Sequence, residues 1–377
     1  MKNVVIIIPT YNEAGTIKKL ISQIFTQTSK TSDWSAEILI VDSKSPDRTG
    51  KIVKSLQPKN PKLHLLETNK EGLGKAYARG FEYAINKLHA AVVFEMDADF
   101  SHSPNDIPFF LGQIEKGADF VIGSRYIRGG SIPQNWNWHR KIFSFLGNII
   151  IRLGFMKPRI SDWTSGHRAI KAWVVNSVID KVRNYSGYVF QVALLDEALK
   201  KNAKIAEVPI NFKDRIYGES KINSFQYIAQ TLLYVFTHSS FIKYVVVGLV
   251  GAVLDFGISY LLIEKAKIII WLSTIISAET AIISNFLFNN FWAFSHKRLE
   301  HKVTTYLKKF FHFNLISSGS LFIQAFGIQL LAYLFGQKWW YIYKVLVIVF
   351  IIIPYSYLLY NKFVWNEKNI KSLPRIN

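Results

Sequence analysis

Four long apolar stretches near the carboxyl end constrain what this 377-residue chain can fold into more than any other feature. Phe241 to Ile263, Ile268 to Phe294, Phe310 to Phe335 and Trp339 to Tyr360 meet the need for roughly 20 apolar residues per bilayer-spanning helix. They read as four transmembrane helices in two hairpins. The loop from Ser295 to Lys309 carries Lys297, Arg298, Lys302, Lys308 and Lys309, and the tail carries Lys362, Lys368, Lys371 and Arg375. The other two loops are short and weakly charged. Lysine and arginine gather on the cytoplasmic side of spans, so both termini, and everything before Phe241, are expected in the cytoplasm at a cell membrane.

The two hairpins echo each other. SNFLFNNFWAFS closes the first and SYLLYNKFVWNE the second, which suggests a two-fold internal repeat; similar interfacial belts arising independently give the same pattern. Asp255 and Glu279 fall inside spans, where a charge faces protein or water rather than lipid. They either pair or line a path for lipid headgroups. Just before the first span, SFQYIAQTLLYVFTHSSF has an apolar face at helical spacing, suited to lying along a membrane surface.

Ahead of Phe241 the text changes. Short apolar runs (VVIII, AEILIVD, LHLLE, AVVFEM, DFVIG) alternate with helical stretches (TIKKLISQIF, TGKIVKSL, GKAYARGFEYAINKL, DIPFFLGQIEKG). That alternation predicts an α/β domain, an open and largely parallel sheet with helices on both faces. Such sheets bind ligands beyond the carboxyl ends of their strands, where Asp42 and the pair Asp97 and Asp99 fall. The expected domains are a head over 1–222, an interfacial linker over 223–240 and a membrane domain over 241–377. The start, MKNVVIIIPTYNE, has too short an apolar run for a secretory signal, and Val4 to Ile8 reads as a buried strand.

The chain has no cysteine, which removes disulfides, thiolate metal sites and a cysteine nucleophile. Its formal net charge of +20 points to an anionic partner. No nucleic-acid-binding motif accompanies the charge, so a membrane surface and a phosphorylated substrate are the expected partners. Against that background FEMDADFSH stands out. Asp97 and Asp99, one residue apart at a strand end, supply hard oxygen ligands suited to Mg²⁺ or Mn²⁺ bridging a diphosphate. The reaction class is then glycosyl or nucleotidyl transfer. A solvated acidic turn in which Asp99 caps the next helix is the competing reading. EGLGKAYARG is no phosphate-binding P-loop, since its lysine lacks a following Ser or Thr and the spacing is wrong.

PTYNE after the first strand, VDSKSPDRT after the second, then MDADFSHSP, GSRY, DWTSGHRA and DRIYGESKI occur in that order. Together they resemble family 2 glycosyltransferases of the GT-A fold, and within them the polyprenol (dolichol) phosphate mannose synthases, over residues 3 to 222. The terminal helices resemble a GtrA-type four-helix membrane domain, with FIKYVVVG as the clearest stretch.

The resemblance implies roles. Pro9, Tyr11 and Glu13 would hold the nucleoside, with Ile40 and Asp42 at the base or ribose. Asp97, Ala98 and Asp99 would line the donor diphosphate, with Asp99 the most direct metal ligand and Ser101 standing where several relatives carry a glutamine ligand. His102 is read as structural. Arg125, Arg140 and Ser144 would hold the lipid phosphate, and Arg215 and Lys221 the donor diphosphate. Asp162 would either orient the sugar or fix its own loop. Two departures stand out: after Asp42, VDSKSPDRT lacks the second acidic residue and the glycine that commonly follow the base-binding aspartate in relatives, and Ala193 replaces a glutamate of many relatives.

The implied reaction moves mannose from GDP-mannose to a polyprenyl or dolichyl phosphate with inversion. A phosphate monoester with second pKa ~6 is already largely dianionic at neutral pH, so no general base is required. Two readings compete with it: the same chemistry with UDP-glucose or another donor, and a non-catalytic protein that binds or translocates lipid phosphates. A processive polysaccharide synthase is disfavoured because no Gln-x-x-Arg-Trp motif is present.

Overall fold

The computed structural model describes residues 2–31, 33–185, 187–214, 224–299 and 302–365, with the side chains of 188, 224–227 and 321 outside that description. The chain separates into two compact units, Met1–Val235 and Phe236–Asn377.

The first unit is built on a seven-stranded sheet ordered β3-β2-β1-β4-β6-β5-β7. Its strands are β1 (Lys2–Thr10), β2 (Trp34–Asp42), β3 (Leu63–Glu67), β4 (Val92–Glu95), β5 (Phe120–Ser124), β6 (Arg168–Lys171) and β7 (Ile205–Pro209). All pairings are parallel except those of β6, which runs antiparallel to β4 and β5. This is the GT-A-like α/β arrangement. Val4 to Ile8 are all fully buried, because a central strand covered on both faces has no solvent side to alternate towards. Val4, Ile6 and Ile8 pack into one core with Leu20 and Ile24 of α1 (Ile17–Thr28) and Phe110 of α4 (Ile107–Glu115). Each such aliphatic side chain contributes about 1.5–3 kcal/mol by leaving water.

Ile7 faces the other way, towards α3 (Leu73–Asn86). A Cβ on Gly80 of α3 would lie 2.6 Å from Ile7 Cγ2 and 3.1 Å from Val41 Cγ2, so only glycine lets this helix lie so close to β1 and β2. Tyr77 and Phe81 of α3 then stack with Phe190 of α7 (Gly187–Lys200).

Beyond Gly123 the alternation in the sequence fails to reveal α5 (Trp138–Gly154), β6 and β7. Arg168 and Lys171 bracket the four residues of β6, and Glu207 interrupts β7, so neither carries a clean period of two. Three more helices complete the outline: α2 (Thr49–Leu56), α6 (Ala172–Val182), and α8 (Ser224–His238), which runs through the division at Val235.

Among the described residues the second unit holds four helices apolar and long enough to cross a membrane: Ser240–Lys265, Ile270–Ala293, Val303–Phe335 and Gln337–Val364. The third begins at Val303 rather than Phe310, because the segment holding Lys308 and Lys309 is helical and not loop. Both hairpins close in a wide π-turn, Asn289–Ala293 and Tyr360–Val364, within the two echoing sequence segments. In the first hairpin a Cβ on Gly251 would fall 2.2 Å from Asn285 Oδ1, so the helices touch there through glycine. Asp255 does not pair with Glu279 among the described residues. Its Oδ1 accepts a 2.6 Å hydrogen bond from Ser277 Oγ, which also meets Ser259 Oγ at 2.7 Å, and Glu279 is exposed on its helix.

Candidate active site

The carboxyl ends of β1, β2, β4 and β5 bring most of the expected residues to one edge of the sheet. After β1 the chain turns at Asn12, whose φ of 65° is left-handed, and the turn is tied to the β2 loop. Asn12 N–H donates to Ser45 Oγ (3.1 Å), Glu13 N–H to Thr49 Oγ1 (3.0 Å) and Ala14 N–H to Asp47 Oδ2 (2.9 Å). Asp47 also accepts from the Thr49 hydroxyl (2.6 Å). Partial burial opposes its ionisation, but these hydrogen bonds prevail and hold its carboxyl below the usual range. Asp42 is 2% exposed and accepts from Thr10 Oγ1 (2.8 Å), Ser45 N–H (2.9 Å) and Ser45 Oγ (2.5 Å). It braces the two loops that flank Pro9, Tyr11 and Glu13. Ile40 is wholly inside the sheet core. Lys70, from the loop after β3, places its ammonium 3.7 Å from the centre of the Tyr11 ring.

After β4 the chain runs through Asp97, Ala98 and Asp99 to Phe100, whose φ is 63°. Ser101 N–H donates to Asp99 Oδ1 (3.0 Å), and Tyr77 OH lies 3.5 Å from Asp97 Oδ1. Asp97 N–H donates to His102 Nδ1 (3.2 Å), which requires a neutral ring. Burial supplies that state by depressing the His102 pKa to about 4. The Ser101 hydroxyl is buried with no hydrogen-bond partner among the described residues. No three His, Cys, Asp or Glu side chains gather into a metal cage among those residues.

At the end of β5, Arg125 donates from Nε to Asp162 Oδ2 and from a terminal nitrogen to Asp162 Oδ1, both at 2.7 Å, and to Thr164 Oγ1 at 2.8 Å. Asp162 is fully buried and also accepts from Arg125 N–H (3.1 Å) and Ser165 N–H (3.2 Å). Burial alone would raise its pKa; the guanidinium overrides this and holds the carboxyl below the usual range. Asp162 has no exposed surface, and its carboxylate is held by Arg125 and by the backbone of its own loop.

Arg140, in the first turn of α5, is half exposed and stacks on Trp136 at 3.9 Å. Asp214 lies 3.7 Å from Arg140 and accepts from Trp136 Nε1 at 2.7 Å. Ser144 Oγ meets Tyr126 OH at 2.6 Å. On the same helix Trp138, Phe143 and Leu153 are more than half exposed, an apolar face beside a cation. Arg215 and Lys221 lie outside the described residues.

Sequence reasoning missed Lys70, Tyr77 and Trp136. Trp136 lies two residues ahead of α5, in a bend, so no helical spacing in the sequence pairs it with Arg140. The others meet the site only through the packing of distant segments.

A GT-A-like head with an Asp-x-Asp strand end, joined to four apolar helices, defines a membrane-bound glycosyltransferase. Residues 5–183 match the glycosyl transferase family 2 profile, and residues 243–365 match the GtrA/DPMS transmembrane domain. The chain is 35% identical to a polyprenol monophosphomannose synthase of Mycolicibacterium smegmatis, over 58% of this chain and 80% of that protein. It is 33% identical to a dolichol-phosphate mannosyltransferase of Pyrococcus furiosus over 78% and 81%, and 35% identical to an undecaprenyl-phosphate mannosyltransferase of Micrococcus luteus over 58% and 87%. The chain belongs to the polyprenol-phosphate mannose synthase family of family 2 glycosyltransferases, as the order of its motifs implies.

Proposed function

We propose that this enzyme transfers mannose from GDP-mannose to the phosphate of a polyprenyl phosphate, dolichyl phosphate included, inverting the anomeric centre to give a β-linked product and GDP. The observation that carries the reading is the shared naming of the three relatives, each a mannosyltransferase or mannose synthase of a polyprenol-type phosphate.

A magnesium or manganese ion fits the donor set. Asp97 and Asp99 offer carboxylate oxygens, and the buried Ser101 hydroxyl, without a partner among the described residues, is a third oxygen of the right hardness. When bound, the ion would stabilise the charge gathering on the departing diphosphate. Tyr11, with Lys70 above it, and Glu13 border the place for the nucleoside, while Asp42 keeps their loops in register. Asp162 sets the plane of the Arg125 guanidinium before substrate arrives, so no reorientation is needed when a phosphate approaches. Arg140 and Ser144 sit beside the exposed apolar residues of α5, which suits an acceptor that is phosphate at one end and isoprenoid at the other. That acceptor brings its own anionic nucleophile, and the residues here align and shield it. Arg215 and Lys221 would complete the grip on the donor. The head and both termini face the cytoplasm in this reading, with a boundary near residues 223–240 where α8 leads into the membrane.

A UDP-glucose donor is the rival that keeps the same geometry. Incubating full-length protein with radiolabelled GDP-mannose, UDP-glucose and other donors, plus short-chain polyprenyl phosphate, Mn²⁺ or a chelator, separates them. Label entering lipid from GDP-mannose alone, and only without chelator, is the expected result; label from UDP-glucose alone overturns the donor.

A further inference from the structure

We propose that Arg168 is a positioning residue of the donor site, fastening the loop from Asp162 to His167 against the strand end that carries Asp97 and Asp99. The inference rests on reading those aspartates as the seat of the donor's metal.

Arg168 opens β6 and is fully buried. Its guanidinium donates to three backbone carbonyls: Nε to Ser165 O at 2.7 Å, and its terminal nitrogens to Gln191 O at 2.7 Å and Trp163 O at 2.9 Å. Three carbonyls on two segments are bridged by one rigid fork, which a lysine cannot reproduce. Directly across the antiparallel pair stands Glu95, the last residue of β4, with Oε2 4.0 Å from Arg168 Nε. The Glu95 carboxyl is wholly buried and interacts with both Arg168 and the buried side-chain amide of Gln191.

Two routes lead from this fork to Asp97. Along the first, His167, anchored beside Arg168, uses Nδ1 to meet Glu95 O at 3.3 Å and stacks on His102 at 4.5 Å between ring centres. His102 in turn accepts the Asp97 N–H. Along the second, the Gln191 carbonyl fixes α7, whose Phe190 lies against Tyr77 at 6.2 Å, and Tyr77 OH reaches Asp97 Oδ1. The same loop carries Asp162, which grips Arg125. Arg168 therefore sets the separation between the metal-facing carboxylates and the phosphate-facing arginine while touching neither substrate.

The test uses full-length, detergent-solubilised protein and Mn²⁺ binding followed by electron paramagnetic resonance with GDP or UDP present. Arg168→Lys is expected to weaken Mn²⁺ binding by about ten-fold or more, the usual cost of losing an outer support of a metal site. His167→Phe, which keeps the ring stack and loses the bond to Glu95, is expected to move affinity the same way by a smaller factor and stands in if Arg168→Lys does not fold. The control is Lys200→Met, which removes the cation between Asp196 and Glu197 on the same domain. It should lower the melting temperature and leave Mn²⁺ affinity within two-fold. Wild-type Mn²⁺ affinity in both Arg168→Lys and His167→Phe overturns the positioning role, as does an equal loss in Lys200→Met. Absence of Mn²⁺ uptake by the wild type overturns the metal reading and this inference with it, whereas uptake with UDP but not GDP overturns only the donor.

Discussion

Arg125 and Asp162 face each other in a two-pronged ion pair, both hydrogen bonds 2.7 Å long, with side-chain exposures of 6% and 0%. A buried pair of this kind is costly to break from one side, because the remaining charge has neither water nor partner. Asp162→Asn is expected to destabilise the head by about 3–5 kcal/mol and to abolish most transfer. Denaturant unfolding followed by tryptophan fluorescence, beside a product assay, checks both. A variant with wild-type stability would show that the charge of Asp162 is not what holds Arg125.

Asp106 gives a pH dependence of known sign. Burial pushes its carboxyl up to about 6, with Lys213 pulling the other way. The folded pKa therefore exceeds the ordinary value near 3.9, so its contribution is fully present below about pH 4 and is lost as pH rises through 6. His167, 4.0 Å away, does not charge in that window, since burial first and His102 second hold its pKa well down. Asp106→Asn cannot titrate. The melting temperature of this variant relative to wild type should climb between pH 4 and 7, and a flat difference across that range would count against the assignment.

Within the first membrane hairpin, Ser277 donates to Asp255, and Gly251 lies against Asn285. Ser277→Ala removes the interhelical hydrogen bonds to Asp255 and Ser259, each worth about 0.6–1.7 kcal/mol in a membrane protein. Gly251→Leu should cost more, because a Cβ alone already collides. Thermal unfolding in detergent is expected to rank wild type above Ser277→Ala above Gly251→Leu; the reverse order would mean that the helices are not held through this contact.

The absence of cysteine makes sidedness directly measurable. Single cysteines at Lys267, between the first two spans, and at Asn377, in the tail, are expected to label from opposite sides of intact cells. Lys267→Cys should react with an impermeant maleimide outside, and Asn377→Cys only after permeabilisation. Labelling of both from one side would contradict a four-span topology.

The parallel sheet was legible because a central strand such as Val4 to Ile8 announces itself as an unbroken apolar run, and the helices between such runs carry their own period. Asp97 and Asp99 could be placed at a strand end for the same reason. What stayed hidden depends on contacts between remote segments. Nothing in the spelling of DWTSGHR says that Asp162 is buried against Arg125 and its own loop, or that Arg168 binds backbone carbonyls. Nor does local spacing show that Lys70 covers Tyr11, since 59 positions separate them and only the pairing of β3 beside β2 brings them together. The early start of the third span was masked by Lys308 and Lys309, whose charge reads as loop although an interfacial helix accommodates it.

Diffraction from crystals of the full chain grown with GDP and Mn²⁺, recorded at the manganese edge, bears most directly on the account. An anomalous peak within about 2.0–2.3 Å of an Asp99 carboxylate oxygen, and of the GDP phosphates, is the predicted result. A nucleotide bound away from the ends of β1 and β4, or manganese bound to it with no contact to Asp97 or Asp99, would contradict it.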